Sequence, residues 1–263
     1  MFYEAYFFYD KILLVNSMKK LNSNNLKLIA IIAMSIDHIA DLLYPGMQNN
    51  IVCIIMHIIG RLTAPIMFFF ICEGFYYTHD IKKYIERLFI FSIVSHFAYC
   101  FAFGINFIPF KEGIFNQTSI MWTLAWAVVA LYVVYGNNKF KDWEKTMLVL
   151  LICLITFPAD FSSIGVMAIL YMYKYRGELK KQIMIMMFWL LIYSIISIIF
   201  VNKLYGIVIL FSTLSYGVLE LYDGTRGKNK TIKWFFYVYY PLHLLIIGIL
   251  RILMHGNVAI LFS

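Results

Sequence analysis

Three ionisable side chains interrupt an otherwise apolar stretch near the start of the chain. Asp37, His38 and Asp41 lie within IIAMSIDHIADLLY, residues 31–44. On a helix, residues three and four apart are neighbours, so the three side chains share roughly one face. A carboxylate beside an imidazole fixes the tautomer of the ring and raises its basicity, which suits a general base. The spacing predicts proton transfer by this cluster, with hydrogen bonds that brace neighbouring helices as the alternative.

A second cluster follows in HIIGRLTAP, residues 57–65. His57 and Arg61 are four residues apart and share a helix face. Pro65 removes the helical bond to the carbonyl of Arg61 and is expected to kink the helix there. A guanidinium at a kink suits an anionic ligand. An ion pair between Asp37 and Arg61 that joins two helices is a compatible alternative.

Three further polar residues lie in or beside apolar runs. His243 follows Pro241 within WFFYVYYPLHL, residues 234–244, too deep in the run for an interfacial anchor. It is predicted either to join a polar cavity or to be a hydrogen-bonded core residue. His96 is predicted to be a hydrogen-bonded core residue. Asp160 is predicted to cap the helix that follows it.

The composition indicates what kind of element positions these side chains. Of 263 residues, 62% are hydrophobic and 14% are charged, whereas soluble domains carry about 25% charged residues. This predicts an all-α polytopic integral membrane bundle with about nine spans. The fifth and sixth spans are short and form a tight hairpin or a re-entrant pair. The predicted spans are 26–44, 51–73, 86–104, 119–136, 146–159, 162–175, 182–201, 203–221 and 234–255.

Two regions are predicted, an N-terminal interfacial segment at residues 1–25 and one transmembrane domain at residues 26–263. The first lacks the basic start and small-residue cleavage site of a signal peptide. The four cysteines show no paired or metal-type spacing, so neither a disulfide framework nor a metal site is predicted.

The distribution of basic residues predicts the orientation. Lysine and arginine cluster in alternate loops, which favours a cytoplasmic N-terminus. This topology accounts for the net charge of +8, so the lipid bilayer is the expected partner and nucleic acid is not. Near the opposite surface, Arg251 and His255 are predicted to snorkel. Four other ionisable residues fall at similar depths, about 14–18 Å from a surface at ~1.5 Å per residue, and are predicted to meet in one central polar cavity. They are His38, Arg61, His96 and His243.

A group of residues at the predicted inner face is suited to a phosphorylated ligand. Glu73 ends the second span, and Lys82, Tyr84 and Arg87 follow it. Arginine and lysine bind phosphate, so this group is a candidate site for a phosphorylated cytoplasmic cofactor. The positive-inside signal alone explains the lysines fully and is the favoured interpretation for them, whereas for Arg87 both interpretations stay open.

Five stretches together resemble the TraX family, in their order and spacing. They are LKLIAIIAMSIDHI (26–39), IGRLTAPIMFFFICEGF (59–75), YIER (84–87), ADFSSIGV (159–166) and FFYVYYPLHLL (235–245). The chain has phenylalanine at 161, where the family is expected to have tyrosine. By position, the resemblance marks Asp37, His38, Gly60, Arg61, Pro65, Glu73, Arg87, Asp160, Tyr240, Pro241 and His243.

The resemblance implies a membrane acetyltransferase that uses cytoplasmic acetyl-CoA. Its implied acceptor is a peptide, such as the N-terminus of pilin, or a cell-surface molecule. In this scheme His38 is the catalytic base, oriented by Asp37 or Asp41. Arg61 or His243 stabilises the oxyanion. The acetyl-CoA site is predicted to contain Glu73, Lys82, Tyr84 and Arg87, and both direct transfer and an acetyl-histidine intermediate are open.

Two other functions are compatible with mid-depth acids and histidines. A proton-coupled transporter would use them as a relay, but such transporters usually show broken helices in two related halves, and the sequence shows no such symmetry. An intramembrane metalloenzyme would need a tight ligand set such as HExxH, which is absent from the sequence.

Overall fold

In the computed structural model, residues 21–111, 113–227 and 231–260 are described. Within these ranges the chain is all-helical, with only isolated bridges at Leu21–Tyr222 and Thr118–Ala159. The α-helices are α1 (Ser23–Leu43), α2 (Ile51–Gly60), α3 (Thr63–Tyr77), α4 (Ile81–Phe103), α5 (Ile120–Tyr135), α6 (Asp142–Thr156), α7 (Ser162–Lys174), α8 (Leu179–Phe200), α9 (Lys203–Ile209), α10 (Ser215–Glu220) and α11 (Ile232–His255).

Five helical stretches in the described part are long and apolar enough to cross a membrane. They are Ile51–Tyr77, Ile81–Phe103, Leu179–Phe200, Lys203–Glu220 and Trp234–His255. The all-helical class is confirmed, while the count of nine spans stays a prediction. Most of the predicted interfacial segment, residues 1–20, lies outside the described residues, and residues 23–25 already belong to α1.

The predicted kink near Pro65 is confirmed as a break between two helices. α2 ends at Gly60 and α3 begins at Thr63. At the break, the backbone N–H of Arg61 donates to the carbonyls of His57 and Ile58, at 3.1 and 3.2 Å. Pro65 lies in the first turn of α3, where its missing N–H is tolerated. The break presents Arg61 in the middle of a 27-residue apolar stretch.

The two short predicted spans form a hairpin, α6 and α7, joined by a tight turn. Phe161 occupies the left-handed region with φ of 58° and is the residue that caps α7. The prediction that Asp160 caps this helix is wrong, because the helix starts one residue too late. The Asp160 carboxylate accepts from the N–H of Phe161 at 3.0 Å. The carbonyl of Asp160 accepts from the hydroxyl of Thr123 on α5 at 2.7 Å.

The predicted snorkelling of Arg251 is wrong. Its side chain is only 2% exposed, and it donates to the carbonyls of Val258 at 2.8 Å and Phe101 at 3.2 Å. The reason is that the chain folds back after α11, so that the backbone of Ile260 bonds to Phe103 and Gly46. His255 also bonds inward, to the carbonyl of Leu42 at 2.8 Å.

Candidate active site

A small cavity of about 70 Å³ lies among α1, the α2–α3 break, and the ends of α4 and α5. Its polar lining residues come from at least six separate segments of the chain. They are Asp37, His38, Asp41, His57, Arg61, Thr63, Tyr99, Asn116, Asp160, Tyr205 and Tyr240. Of the predicted catalytic residues, Asp37, His38 and Arg61 line this cavity, and His243 contacts it through His38.

Asp37 forms the buried ion pair with Arg61. Nη2 of Arg61 lies 2.7 Å from Oδ1 and 2.5 Å from Oδ2 of the carboxylate. Nε of Arg61 donates to the carbonyl of His57 at 3.2 Å, so the pair is anchored to the end of α2. The Arg61 side chain is 7% exposed. The predicted Asp37–Arg61 pair is therefore confirmed as a contact.

His57 connects Asp37 to Asp41. Its Nδ1 lies 2.9 Å from Oδ1 of Asp37, while its Nε2 lies 3.8 Å from Oδ1 of Asp41. Nε2 is buried and has no hydrogen-bond partner among the described residues. The sequence predicts that His57 shares a helix face with Arg61, but it does not single out His57 as a catalytic residue. Its spacing of four residues from Arg61 was the available signal.

His38 is not oriented by a carboxylate, which corrects the sequence-based prediction. Its Nδ1 lies 2.8 Å from Nε2 of His243 on α11, and the two rings are nearly parallel. One physical reason is that the carboxylate of Asp37 is already bonded to Arg61 and His57. Neighbouring residues on a helix also point about 100° apart at 3.6 residues per turn.

His96 does not line the cavity, so the predicted meeting of four ionisable groups is wrong. Its ring bonds to the hydroxyl of Thr118 at 2.9 Å and the carbonyl of Phe107 at 2.8 Å. The prediction that it is a hydrogen-bonded core residue is confirmed for the hydrogen bonds only, because the side chain is half-buried and lies outside the core. α4 instead contributes Tyr99 and Phe103 to the cavity.

A large cavity of about 680 Å³ lies at the other end of the bundle, where α3 ends and α4 begins. It includes Glu73, Tyr84 and Arg87 of the predicted cofactor site. Lys82 is exposed and lies outside its lining. The lining also contains polar groups that the sequence does not single out as cofactor ligands. They are Ser23, Lys27, Tyr77, Thr78, His79, Tyr222, Arg226 and Tyr237. For the basic ones the reason is that lysine and arginine in loops are also expected from membrane topology alone.

Arg87 brings a guanidinium to the lining of the large cavity. Its guanidinium lies 5.4 and 5.5 Å from the ring centres of Tyr84 and Tyr237. Its Nε is buried without a hydrogen-bond partner in the described part of the chain. Glu73, by contrast, is paired with Arg176 at 2.8 Å. The carboxylate of Glu73 therefore forms part of the cavity wall and does not neutralise the charge of Arg87.

Tyr222 adds a neutral hydrogen-bonding group to the same wall. It lies in the segment after α10, and burial raises the pKa of its hydroxyl to about 12. The hydroxyl is therefore protonated at neutral pH and adds no negative charge. This keeps the large cavity suited to an anionic ligand.

The two cavities approach each other where α3 and α5 pack. On α3, Met67 lines the large cavity and Ala64 lines the small one. On α5, Met121 lines the large cavity and Ile120 lines the small one. On α3 the two lining residues are three positions apart, about 4.5 Å along the helix axis, and on α5 they are adjacent in sequence. Methionine side chains are flexible and adapt to a passing ligand.

The sequence matches one protein family and one curated protein. The model of the TraX protein family matches residues 22–251. The chain belongs to the TraX family. It is also 27% identical over 232 residues to the probable fimbrial assembly protein FimC, serogroup H1, of Dichelobacter nodosus, covering 83% of this chain and 91% of that protein. No solved structure matches the chain.

The family match and the long apolar helices agree that this TraX protein is a membrane protein. The stretches that carry the family resemblance line both cavities. Phe161, where the family is expected to have tyrosine, packs its ring on Tyr193 at 5.0 Å and lines the small cavity. An apolar ring therefore replaces the expected hydroxyl in the wall of this TraX protein.

Gly60 allows the close approach of α1 and α2 that the ion pair requires. A Cβ at position 60 would overlap the carboxyl group of Asp37. Gly60→Ala is therefore expected to destabilise the TraX fold by about 1–3 kcal/mol through overpacking. Thermal unfolding in detergent measures this. The matched control is Gly217→Ala on α10, where a Cβ meets nothing within 4 Å. Equal stability of the two variants would contradict the role given to Gly60.

Proposed function

We propose that this TraX protein is a membrane acetyltransferase that moves an acetyl group from cytoplasmic acetyl-CoA to an amine or hydroxyl. The acceptor is a peptide N-terminus, pilin-like in class, or a cell-surface molecule. The observation that carries the proposal is the adjacency of a large basic cavity to a small cavity that holds a histidine. The printed name of the Dichelobacter nodosus relative, a fimbrial assembly protein, supports a pilin-like acceptor.

The orientation follows from the loop charges. With a cytoplasmic N-terminus and about nine crossings of the cell membrane, the beginning of α1 and the α3–α4 connection face the cytoplasm. The large cavity then opens toward the compartment that contains acetyl-CoA. The small cavity lies in the outer half of the membrane. The acceptor enters it from the outer side or laterally.

The large cavity fits the chemistry of acetyl-CoA. Its volume of about 680 Å³ is within the range of 300–1,000 Å³ typical of ligand sites. Arg87, Lys27 and Arg226 supply positive charge to its lining. In the proposal, Arg87 binds a phosphate group of the cofactor while Glu73, held by Arg176, positions the wall. The thioester end then extends toward the small cavity past Met67.

The transfer itself uses the small cavity. The acceptor nitrogen or oxygen attacks the thioester carbonyl carbon, and His38 takes the proton from the acceptor. The tetrahedral oxyanion then collapses, the C–S bond breaks, and the thiolate of CoA receives the proton from His38. The products are the acetylated acceptor and CoA. Arg61 is the oxyanion donor in this proposal, because Nη2 and Nε bind Asp37 and His57, and Nη1 has no hydrogen bond to any residue that the structure describes.

Proton-coupled transport is the alternative, favoured by the chain of Asp37, His57 and Asp41 in the middle of the bundle. The two functions differ in whether acetyl-CoA is consumed. The test is to incubate purified protein in nanodiscs with acetyl-CoA and a panel of amines and alcohols, and to measure CoA release. Release that depends on the acceptor supports the acetyltransferase. Folded protein that releases no CoA with any acceptor would favour transport.

Arg87→Gln is expected to raise the Kd for acetyl-CoA about 10- to 100-fold, because a charge-assisted hydrogen bond contributes about 1.5–3 kcal/mol. Calorimetric titration of the protein in nanodiscs measures the Kd. Lys82→Gln is the matched control, since Lys82 is a nearby cation outside the cavity lining. Equal weakening by both substitutions would show that only general surface charge attracts the cofactor.

A further inference from the structure

His243 holds a definite place in a series of hydrogen bonds that ends at the small cavity. Its Nδ1 lies 3.0 Å from the main-chain carbonyl of Tyr239, and its Nε2 lies 2.8 Å from Nδ1 of His38. A carbonyl oxygen can only accept, so Nδ1 of His243 must carry a hydrogen. In the neutral ring, Nε2 of His243 is then the nitrogen with the lone pair.

The same reasoning fixes the tautomer of His38. Because Nε2 of His243 accepts, Nδ1 of His38 must donate. The second nitrogen of His38, Nε2, therefore carries its lone pair. The side chain of His38 lines the small cavity. A nitrogen with a lone pair beside the reacting groups is what a general base requires.

Tyr239, whose carbonyl begins this series of hydrogen bonds, is also hydrogen-bonded to α1 through its side chain. Ser35 donates its hydroxyl hydrogen to the carbonyl of Ile31 at 2.8 Å, so its oxygen accepts from the Tyr239 hydroxyl at 2.7 Å. The rings of Tyr239 and His243 are nearly parallel, with centres 5.2 Å apart. α11 is thus held against α1 one turn before the histidine pair as well as at the pair itself, which restricts the rotation of the His243 ring.

We propose that His243 is a positioning residue that selects the tautomer of His38 in which Nε2 is the general base. This inference rests on the proposed function. It also removes His243 as an oxyanion donor, because its single ring hydrogen is used by the Tyr239 carbonyl. The role that a carboxylate plays in many catalytic histidine pairs is filled here by a second imidazole whose orientation the backbone sets.

Two substitutions separate positioning from packing. His243→Phe keeps a flat ring beside His38 and Tyr239 but removes the acceptor. His243→Gln loses the ring but places an amide oxygen near the former Nε2. If the acceptor matters, His243→Phe lowers kcat about 100-fold, within the range for general base catalysis, and leaves the Kd for acetyl-CoA unchanged. His243→Gln then recovers at least part of the lost kcat. A fully active His243→Phe, or a Gln variant less active than Phe, would overturn the proposal.

A readout that does not need activity keeps this inference distinct from the proposed function. The chain has six histidines, so nitrogen-15 labelling and NMR of the full chain in micelles is practical, with His38→Ala to assign the signals. Wild-type His38 is expected to carry its hydrogen on Nδ1, and His243→Phe to change that distribution. Wild-type His38 with its hydrogen on Nε2 would overturn the inference, whether or not acetyl transfer is observed. If His243→Phe fails to fold, the wild-type spectrum alone decides.

Discussion

Replacing His38 with alanine is expected to lower kcat for acetyl transfer about 10²- to 10⁴-fold, the range typical of losing a general base. The substitution removes the only group proposed to accept the proton from the acceptor. The Kd for acetyl-CoA is expected to stay unchanged, because His38 lies in the small cavity and the cofactor is held in the large one. Acceptor-dependent CoA release and calorimetry measure the two quantities separately.

His96→Ala is the matched control for this substitution. His96 is also a hydrogen-bonded histidine within a long helix, but its partners are Thr118 and the carbonyl of Phe107, away from the small cavity. Its removal is expected to affect stability more than kcat. A His38→Ala protein with undiminished kcat would exclude both direct transfer and an acetyl-histidine intermediate at this residue.

Replacing Asp37 with alanine is expected to destabilise the folded protein by about 3–5 kcal/mol, because it leaves the buried cation of Arg61 without its carboxylate. Both oxygens of Asp37 face Nη2 of Arg61, and Oδ1 also faces His57. The double variant Asp37→Ala with Arg61→Met is expected to recover much of this loss, since it removes the unpaired charge as well. Unfolding in mixed micelles with increasing denaturing detergent measures the difference.

Glu73→Ala provides the comparison, because it breaks the ion pair with Arg176, whose side chain is more exposed than that of Arg61. The side chain of Arg176 is 21% exposed against 7% for Arg61, so water offsets more of the lost ion pair and the loss is expected to be smaller than for Asp37→Ala. If the double variant were no more stable than Asp37→Ala alone, the cost would lie in packing around Asp37 and not in the unpaired guanidinium.

Features that depend on local sequence were predictable. The break beside Arg61 follows from Pro65, which acts within one helical turn. The helix boundaries follow from long apolar runs, and the hairpin of α6 and α7 follows from two runs too short to be full spans. In each case the determining interaction lies within a few residues along the chain.

Side-chain contacts that depend on how the helices rotate and pack against one another were for the most part not predictable. The Asp37–Arg61 pair was among the sequence-based alternatives, but the contact of Asp37 with His57 was not. The contact of His38 with His243 was not predicted either, because it depends on how α11 packs on α1. These two histidines are 205 residues apart. The basic residues of the large cavity, such as Lys27 and Arg226, carry the same signature as any cytoplasmic loop residue.

The fold-back that buries Arg251 also could not be foreseen from composition. It depends on Gly256, which follows α11 with φ of 68° and ψ of −148°. Glycine adopts this conformation without a steric penalty, and the chain then returns to the ends of α1 and α4. The apolar run before it indicated only that a helix ends near the opposite surface.

The most direct test of the account is vectorial acetyl transfer in proteoliposomes of defined orientation. Acetyl-CoA is enclosed on one side of the membrane, and a membrane-impermeant peptide with a free N-terminus is supplied on the other. We expect acetylated peptide when acetyl-CoA contacts the face that carries Arg87 and the peptide contacts the opposite face. Product that forms only when both substrates share one side, or no product in any arrangement by folded protein, would contradict transfer between the two cavities.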